Sequence, residues 1–297
     1  MELLSEKAVI ITVFLFFFLI KIGNRMGNSI NYLVRKVGRI MKLFNLNRFM
    51  PRGEKPRQDG LTMVIDTGFG IRVFQDYLEL AGAYIDYIKL GFGTLSLTPE
   101  PILKEKLRLA KEHHIALYPG GTFFECFAAE GKEERYFQQL KKMGFTWIEI
   151  SDGTIQLEAQ KRRKAIHTAK SMGFNVITEI GKKKEGYTVS LPQLMDQFRA
   201  DLEAGASHVI IEGRESGKNI GVFNKEGELD HQYVEAVHQA IPLKKVIWEA
   251  PRRNQQIQFI KILGVHVNLG NIAFMDILSL ESLRRGLRSD TFHLGVE

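Results

Sequence analysis

One pattern limits the possible fold more than any other. From Leu61 onward, a short apolar run rich in β-branched residues, a glycine-rich or polar turn, and a segment of helical period recur eight times. The runs cover residues 62–66, 85–90, 115–119, 147–151, 176–180, 208–212, 246–250 and 265–269. Most are apolar throughout, as strands are when both faces of their sheet are covered. The segments 73–81, 101–113, 133–143, 158–172, 191–204, 230–241, 255–263 and 274–285 place apolar residues at three- and four-residue steps. Gly82, Gly144, Gly173, Gly205, Gly264 and Gly286 follow many of these segments, where a left-handed residue ends a helix. Eight even strand–helix units predict an α/β chain, a (β/α)8 TIM barrel over residues 53–297, with a short N-terminal extension (1–52) outside it. A doubly wound open sheet is the alternative. No Gly-x-Gly-x-x-Gly follows the first strand, which argues against a dinucleotide fold.

Charge separates the extension from the body. The 297 residues hold 41 Lys and Arg against 34 Asp and Glu, a net charge of +7. The first 52 residues contain nine basic residues and two acids, so the whole surplus lies there and the remaining 245 residues balance. A basic protein invites a nucleic-acid reading, but the body carries no excess to support one. The apolar run Ala8 to Ile20 is shorter than the roughly 20 residues a spanning helix needs. If it inserted, the basic residues that follow would leave the body in the cytoplasm. A secretory signal would need a positive start and a small-residue cleavage site, and neither is present. Met26, Met41 and Met50 are alternative starts, so the extension reads as dispensable or mis-assigned, with a weak membrane anchor as the second reading. One cysteine, Cys126, excludes an internal disulfide and reads as a packed thiol. The expected location is cytoplasmic.

A barrel of this kind carries its chemistry at the C-terminal ends of its strands. Asp66, Lys89, Glu149, Glu179, Glu212 and Glu249 come from six different strand ends at matching depth. Charges there are costly unless paired or metal-bound. Converging carboxylates with lysines therefore suggest a hard cation, magnesium by default, and an anionic substrate; Asp66, Glu149, Glu179, Glu212 and Glu249 are the candidate ligands. Gly93 and Thr94, Gly120 and Gly121, Ser151, and Asn268, Gly270 and Asn271 mark polar, glycine-rich strand ends where backbone N–H groups can approach an oxyanion. Lys182, Lys183 and Lys184 read equally as a solvated loop or as a source of one proton-donating lysine, and Arg214 offers a fork suited to phosphate or sulfonate. Lys161-Arg162-Arg163-Lys164 reads as an exposed helix face. His113, His114, His167 and His238 show no metal spacing.

Taken in order, these strand-end motifs resemble the phosphosulfolactate synthase family. The segments that carry the resemblance include Met63-Val64-Ile65-Asp66-Thr67-Gly68, Lys89-Leu90-Gly91-Phe92-Gly93-Thr94, Gly120-Gly121-Thr122, Ile148-Glu149-Ile150-Ser151-Asp152-Gly153, Glu212-Gly213-Arg214-Glu215-Ser216-Gly217 and Val267-Asn268-Leu269-Gly270-Asn271. They run from about Lys55 to Leu294, and the first 40 residues take no part.

The resemblance implies a Mg2+-dependent barrel enzyme that adds sulfite to phosphoenolpyruvate, giving (2R)-3-phosphosulfolactate, on a route to coenzyme M or sulfolactate. It implies that Lys183, in a Glu-x-Gly-x-Lys spacing, is the first choice for protonating C2, with Lys89 second. Arg214 and the glycine loops would hold phosphate and sulfite. A homo-oligomer is a further expectation. Plant heat-stress-associated proteins resemble the same family, so a non-catalytic role is the alternative, beside another phosphoenolpyruvate or sugar-phosphate lyase or a membrane-tethered binding module.

Overall fold

The computed structural model describes residues 52–214 and 216–295. Chain contacts divide the protein into Met1–Phe49 and Met50–Glu297. The extension's apolar run, its alternative starts and the anchor reading lie outside the described residues. Among the described residues, no helix is long and apolar enough to cross a membrane.

Eight strands form one parallel sheet: β1 (Thr62–Asp66), β2 (Tyr87–Leu90), β3 (Ala116–Pro119), β4 (Trp147–Ile150), β5 (Asn175–Ile180), β6 (His208–Ile211), β7 (Val246–Glu249) and β8 (Leu269–Ala273). Hydrogen-bonded neighbours run in the order β3-β2-β1-β8-β7-β6-β5-β4, and β4 returns beside β3, which brings the ring round on itself. The helices are α1 (Ile71–Ala81), α2 (Glu100–Glu112), α3 (Gly121–Ala128), α4 (Glu133–Met143), α5 (Ala159–Ser171), α6 (Leu191–Glu203), α7 (His231–Ala240), α8 (Arg253–Leu263) and α9 (Ile277–Arg284). This is the (β/α)8 barrel expected from the alternation.

Because the strands alternate faces, one set of side chains fills the barrel and the other packs under the helices. Leu61, Met63, Tyr87, Tyr118, Ile177, Ile210 and Ile247 form the inner cluster. Val64, Ile88, Leu117, Ile148 and Val176 point outward, packing with helix residues such as Phe74, Leu103, Phe137 and Ile166. Each such Leu, Ile or Phe contributes roughly 1.5–3 kcal/mol by leaving water. The inner cluster is a packed floor, and the charged inner residues stand above it at the strand C-termini.

Two elements differ from expectation. A helix absent from the sequence reading, α3, starts directly at Gly121 in the loop after β3. The eighth strand starts at Leu269, where residues 265–269 were expected. Residues 264–268 instead form the turn below it. There the Asn268 side chain accepts from Leu61 N–H at 2.9 Å and donates to the carbonyls of Leu243, Lys244 and Val246. These bonds tie the lower ends of β1, β7 and β8 together. Higher up, the register of β8 against β1 slips by one residue between the Thr62 and Val64 pairings. Asn271 occupies this bulge with φ +55, and bulges of this kind re-aim side chains beside sites.

Candidate active site

Lys89, Glu149, Glu179 and Glu249 lie on the inner face of β2, β4, β5 and β7, one level above the apolar floor, and Glu212 follows β6 directly. They line a cavity of about 180 Å3 with Gly120, Gly121, Thr122, Lys183, Arg214 and Asn271. The four glutamates are each no more than 2% exposed.

Lys89 sits at the centre. Its Nζ lies 2.8 Å from Glu249, 3.2 Å from Glu179 and 3.4 Å from Glu149. Glu249 and Glu179 accept hydrogen bonds from this ammonium, and Glu149 forms a longer ion pair with it. Burial pulls the Lys89 pKa down, but Glu149, Glu249 and Glu179 outweigh it and hold it well above the ordinary range. Lys183 approaches from the loop after β5, donates to Thr122 Oγ1 at 2.8 Å, and lies 3.4 Å from Glu179 and 3.9 Å from Glu212. Burial opposes its charge, while Glu179 and Glu212 raise its pKa.

The acids outnumber these lysines, and their environments split. Burial raises the Glu149 pKa to about 7, despite Lys89 and an N–H from Gly121 at 2.6 Å. Burial also pushes Glu179 up, but Lys183 and Lys89 overcome this and hold it well below the carboxylate range. Glu212 moves the other way: burial, then Glu179 and Glu249, raise it well above the ordinary value. Glu179 and Glu212 are therefore driven apart as one coupled pair, Glu179 toward its charged form and Glu212 toward its protonated form.

One oxygen each of Glu179, Glu212 and Glu249 lie within 4.8 Å of one another. Glu179 Oε1 and Glu212 Oε2 are buried, and no donor group of the described residues hydrogen-bonds to them. Three hard oxygen donors from adjacent strands, two of them without a donor, fit a divalent cation such as Mg2+. The backbone presses them together. Glu249 Oε2 accepts from Gly213 N–H at 2.9 Å and Arg214 N–H at 3.0 Å, and Glu212 Oε1 accepts from the same Arg214 N–H at 2.8 Å. Arg214 makes these bonds with φ +55, a left-handed conformation that costs a non-glycine residue about 1–3 kcal/mol.

The glycine at position 121 is required by close approach. A Cβ there would lie 2.2 Å from Ser151 Oγ and 2.7 Å from Glu149 Oε1. Its N–H serves the protein's own Glu149, in contrast with the expected cradle for a substrate anion.

The other expected residues divide. Lys89, Lys183, Arg214, Gly120, Asn271 and the four glutamates come together at the cavity. Asn271 is 5% exposed and its Oδ1 has no donor among the described residues. Asp66 does not join them. It faces outward, where Lys106 of α2 meets its Oδ2 at 2.6 Å and the N–H groups of Gly68 and Phe69 meet Oδ1. Every donor there is matched, so Asp66 is a structural acid organising the loop after β1. Asn268 is at the opposite end of the barrel. Gly270 lies against Met63 and Ile247 in the barrel floor. Gly93 and Thr94 turn the loop after β2, with Thr94 Oγ1 donating to Gly91 O at 2.8 Å, and do not line the cavity. Ser151 donates to Glu125 below the cavity wall.

Two readings of single residues are corrected. Arg162 is 2% exposed, although its run was expected on a solvated face. It donates to Asp201 at 2.9 and 2.6 Å, to Asp152 at 3.0 Å and to the Glu179 carbonyl at 3.0 Å. Burial opposes its charge, but Asp201 outweighs that and raises its pKa. Cys126 is exposed and not packed. Thr122 and Glu125, both on α3, belong to the site's construction, but Thr122 entered the sequence reading only within Gly120-Gly121-Thr122 and Glu125 in no motif.

A family model described as (2R)-phospho-3-sulfolactate synthase matches residues 50–290. The phosphosulfolactate synthase of Methanocaldococcus jannaschii is 44% identical over 237 residues, covering 79% of this chain and 94% of that protein. That of Bacillus subtilis is 38% identical over 246 residues, covering 82% and 96%. The Arabidopsis thaliana protein HEAT-STRESS-ASSOCIATED 32 is 24% identical over 260 residues, covering 78% and 88%. The match spans the whole barrel at an identity well above that to the plant protein, and the chain belongs to the (2R)-phospho-3-sulfolactate synthase family of enzymes.

Proposed function

We propose that this chain joins sulfite to phosphoenolpyruvate to give (2R)-phospho-3-sulfolactate, with Mg2+ as cofactor and the cytoplasm as its compartment. The observation that carries the reading is the pairing of a three-carboxylate cluster with Lys183 and Arg214 in one cavity.

The sulfur lone pair of sulfite forms the new C3–S bond. The C2=C3 electron pair moves toward the carboxylate, and a proton then arrives at C2. Glu179, Glu212 and Glu249 would hold the cation. When bound, it would supply positive charge to the carboxylate oxygens as their charge builds.

Lys183 suits the proton transfer better than Lys89. Lys89 is ion-paired with three carboxylates within 3.4 Å and hydrogen-bonds to two of them, and its side chain is 7% exposed. The Lys183 side chain is 26% exposed and, among the described residues, hydrogen-bonds only to Thr122, with looser ion pairs to the glutamates. Its ion pairs are longer than that of Lys89 with Glu249, so turning toward a substrate carbon disrupts less. Lys89 instead keeps the crowded acids together. The Arg214 guanidinium at the cavity wall would take the phosphate or sulfonate oxygens in a two-pronged contact.

The full chain mixed with phosphoenolpyruvate, sulfite and Mg2+ should consume enol absorbance only when sulfite is present, and a chelator should stop it. No sulfite-dependent loss would overturn the reading.

A further inference from the structure

Glu125 is a buried carboxylate for which the chemistry above has no use. It is 1% exposed and does not line the cavity. Its Oε1 accepts from the Ser151 hydroxyl and from Gly153 N–H at 3.0 Å, and its Oε2 from the N–H groups of Thr154 at 2.6 Å and Ile155 at 3.2 Å. All four donors belong to the loop after β4. A single anion on α3 therefore sets the path of that loop, as a bound anion would in a backbone nest.

The loop so fixed is what Lys183 rests on. Lys183 N–H donates to Gly153 O at 2.8 Å. Its aliphatic stem lies against the Gly153 Cα, where a Cβ would stand 3.1–3.3 Å from Cγ, Cδ and Cε. The far end of the side chain is held from the same helix, since Thr122, three residues before Glu125, takes Nζ at 2.8 Å. Helix α3 thus governs Lys183 at backbone, stem and tip.

We propose that Glu125 is a positioning residue that fixes the approach of the Lys183 ammonium to the substrate, acting through the loop after β4. This rests on the reading of Lys183 as proton donor. A lysine has four side-chain torsions, and its orientation must be supplied by its surroundings. A misplacement of about 1 Å costs about 10²-fold in rate.

The test compares the full chain with Glu125→Gln, Lys183→Ala and the double variant. A carboxamide turns one end of the acceptor into a donor facing loop N–H groups, so the loop loses its path. In Glu125→Gln, kcat should fall roughly 10–100-fold while KM for phosphoenolpyruvate and sulfite stays within about twofold. In the Lys183→Ala background the same change should cost less than about twofold, because residues that act as a unit are not additive. An equal cost in both backgrounds overturns the proposal, as it would mean general damage.

A second readout needs no turnover. Competitive acetylation with peptide mapping should find Lys183 at least about threefold more reactive, relative to buried Lys106, in Glu125→Gln than in wild type. Unchanged relative reactivity overturns the positioning claim. Failure of the wild-type chain to consume phosphoenolpyruvate with sulfite overturns only the reaction assignment. If Glu125→Gln does not fold, Glu125→Asp keeps both acceptor oxygens on a shorter stem. It should give the same signature at smaller amplitude, and wild-type kcat together with wild-type acetylation there also overturns the proposal.

Discussion

Two groups of buried acids and lysines stand at the strand tops of this barrel, and they are built on opposite principles. Asp66 and Lys106 form a one-to-one pair between sheet and helix, with an ion pair of 2.6 Å and two backbone N–H groups on the remaining oxygen. Inside the barrel, four glutamates face Lys89 and Lys183, and oxygens of Glu149, Glu179 and Glu212 have no hydrogen-bond donor among the described residues. A matched pair stabilises and does nothing more, whereas a surplus of buried carboxylates is a cost that a bound cation would relieve. Asp66 carried the same sequence signal as the glutamates. Only the face of the strand separates them.

The sharpest way to break this comparison is to neutralise one member of each group. Glu179→Gln should lower kcat by about 10²–10³-fold, since it removes a charge that serves the reaction, while the melting temperature stays equal or rises. Asp66→Asn should do the reverse. It strands the Lys106 ammonium in an apolar layer and should cost about 3–5 kcal/mol of stability in denaturant titration, with kcat of the folded fraction within about twofold. Loss of stability in the first variant, or of turnover alone in the second, would show the two groups to be alike.

A smaller effect sharpens the inner group. Glu212 holds its proton well above the ordinary carboxylate range because burial and two neighbouring acids disfavour its charge. A cation must displace that proton. Apparent Mg2+ affinity should therefore rise with pH, by up to about tenfold per pH unit, until Glu212 is ionised, and then level off. In Glu212→Gln the slope should vanish. Titrations at several pH values read both.

How much of this was legible in the sequence follows from what each segment conceals. The barrel was readable because its strand–helix alternation is even and its helices keep their stripes. The face of each strand was not, because Thr62-Met63-Val64-Ile65-Asp66 is apolar up to its last residue and gives no alternation to count. Asp66 therefore looked equivalent to Glu179. Arg162 was legible in principle: it shares the three- and four-residue spacing of Ala165, Ile166 and Ala169, which places it on the buried stripe of α5. The basic residues flanking it masked that spacing. Glu125 shows the same thing on a shorter scale, at the spacing of Gly121, Phe124 and Ala128, in a helix of eight residues that opens with Gly121 directly after Gly120 and looks like a turn. The eighth strand was misplaced because Val265 and Val267 continue an apolar run that Asn268 interrupts through side-chain hydrogen bonds no local pattern reveals.

The central claim is that Glu179, Glu212 and Glu249 form a cation site while Asp66 does not. Calorimetric titration of Mg2+ into the full chain, Glu212→Gln and Asp66→Asn tests it directly. The account predicts one ion per wild-type chain, the same stoichiometry and affinity in Asp66→Asn, and an affinity reduced at least about tenfold in Glu212→Gln. Equal Mg2+ binding by the wild type and Glu212→Gln, or loss of binding in a folded Asp66→Asn, would contradict it.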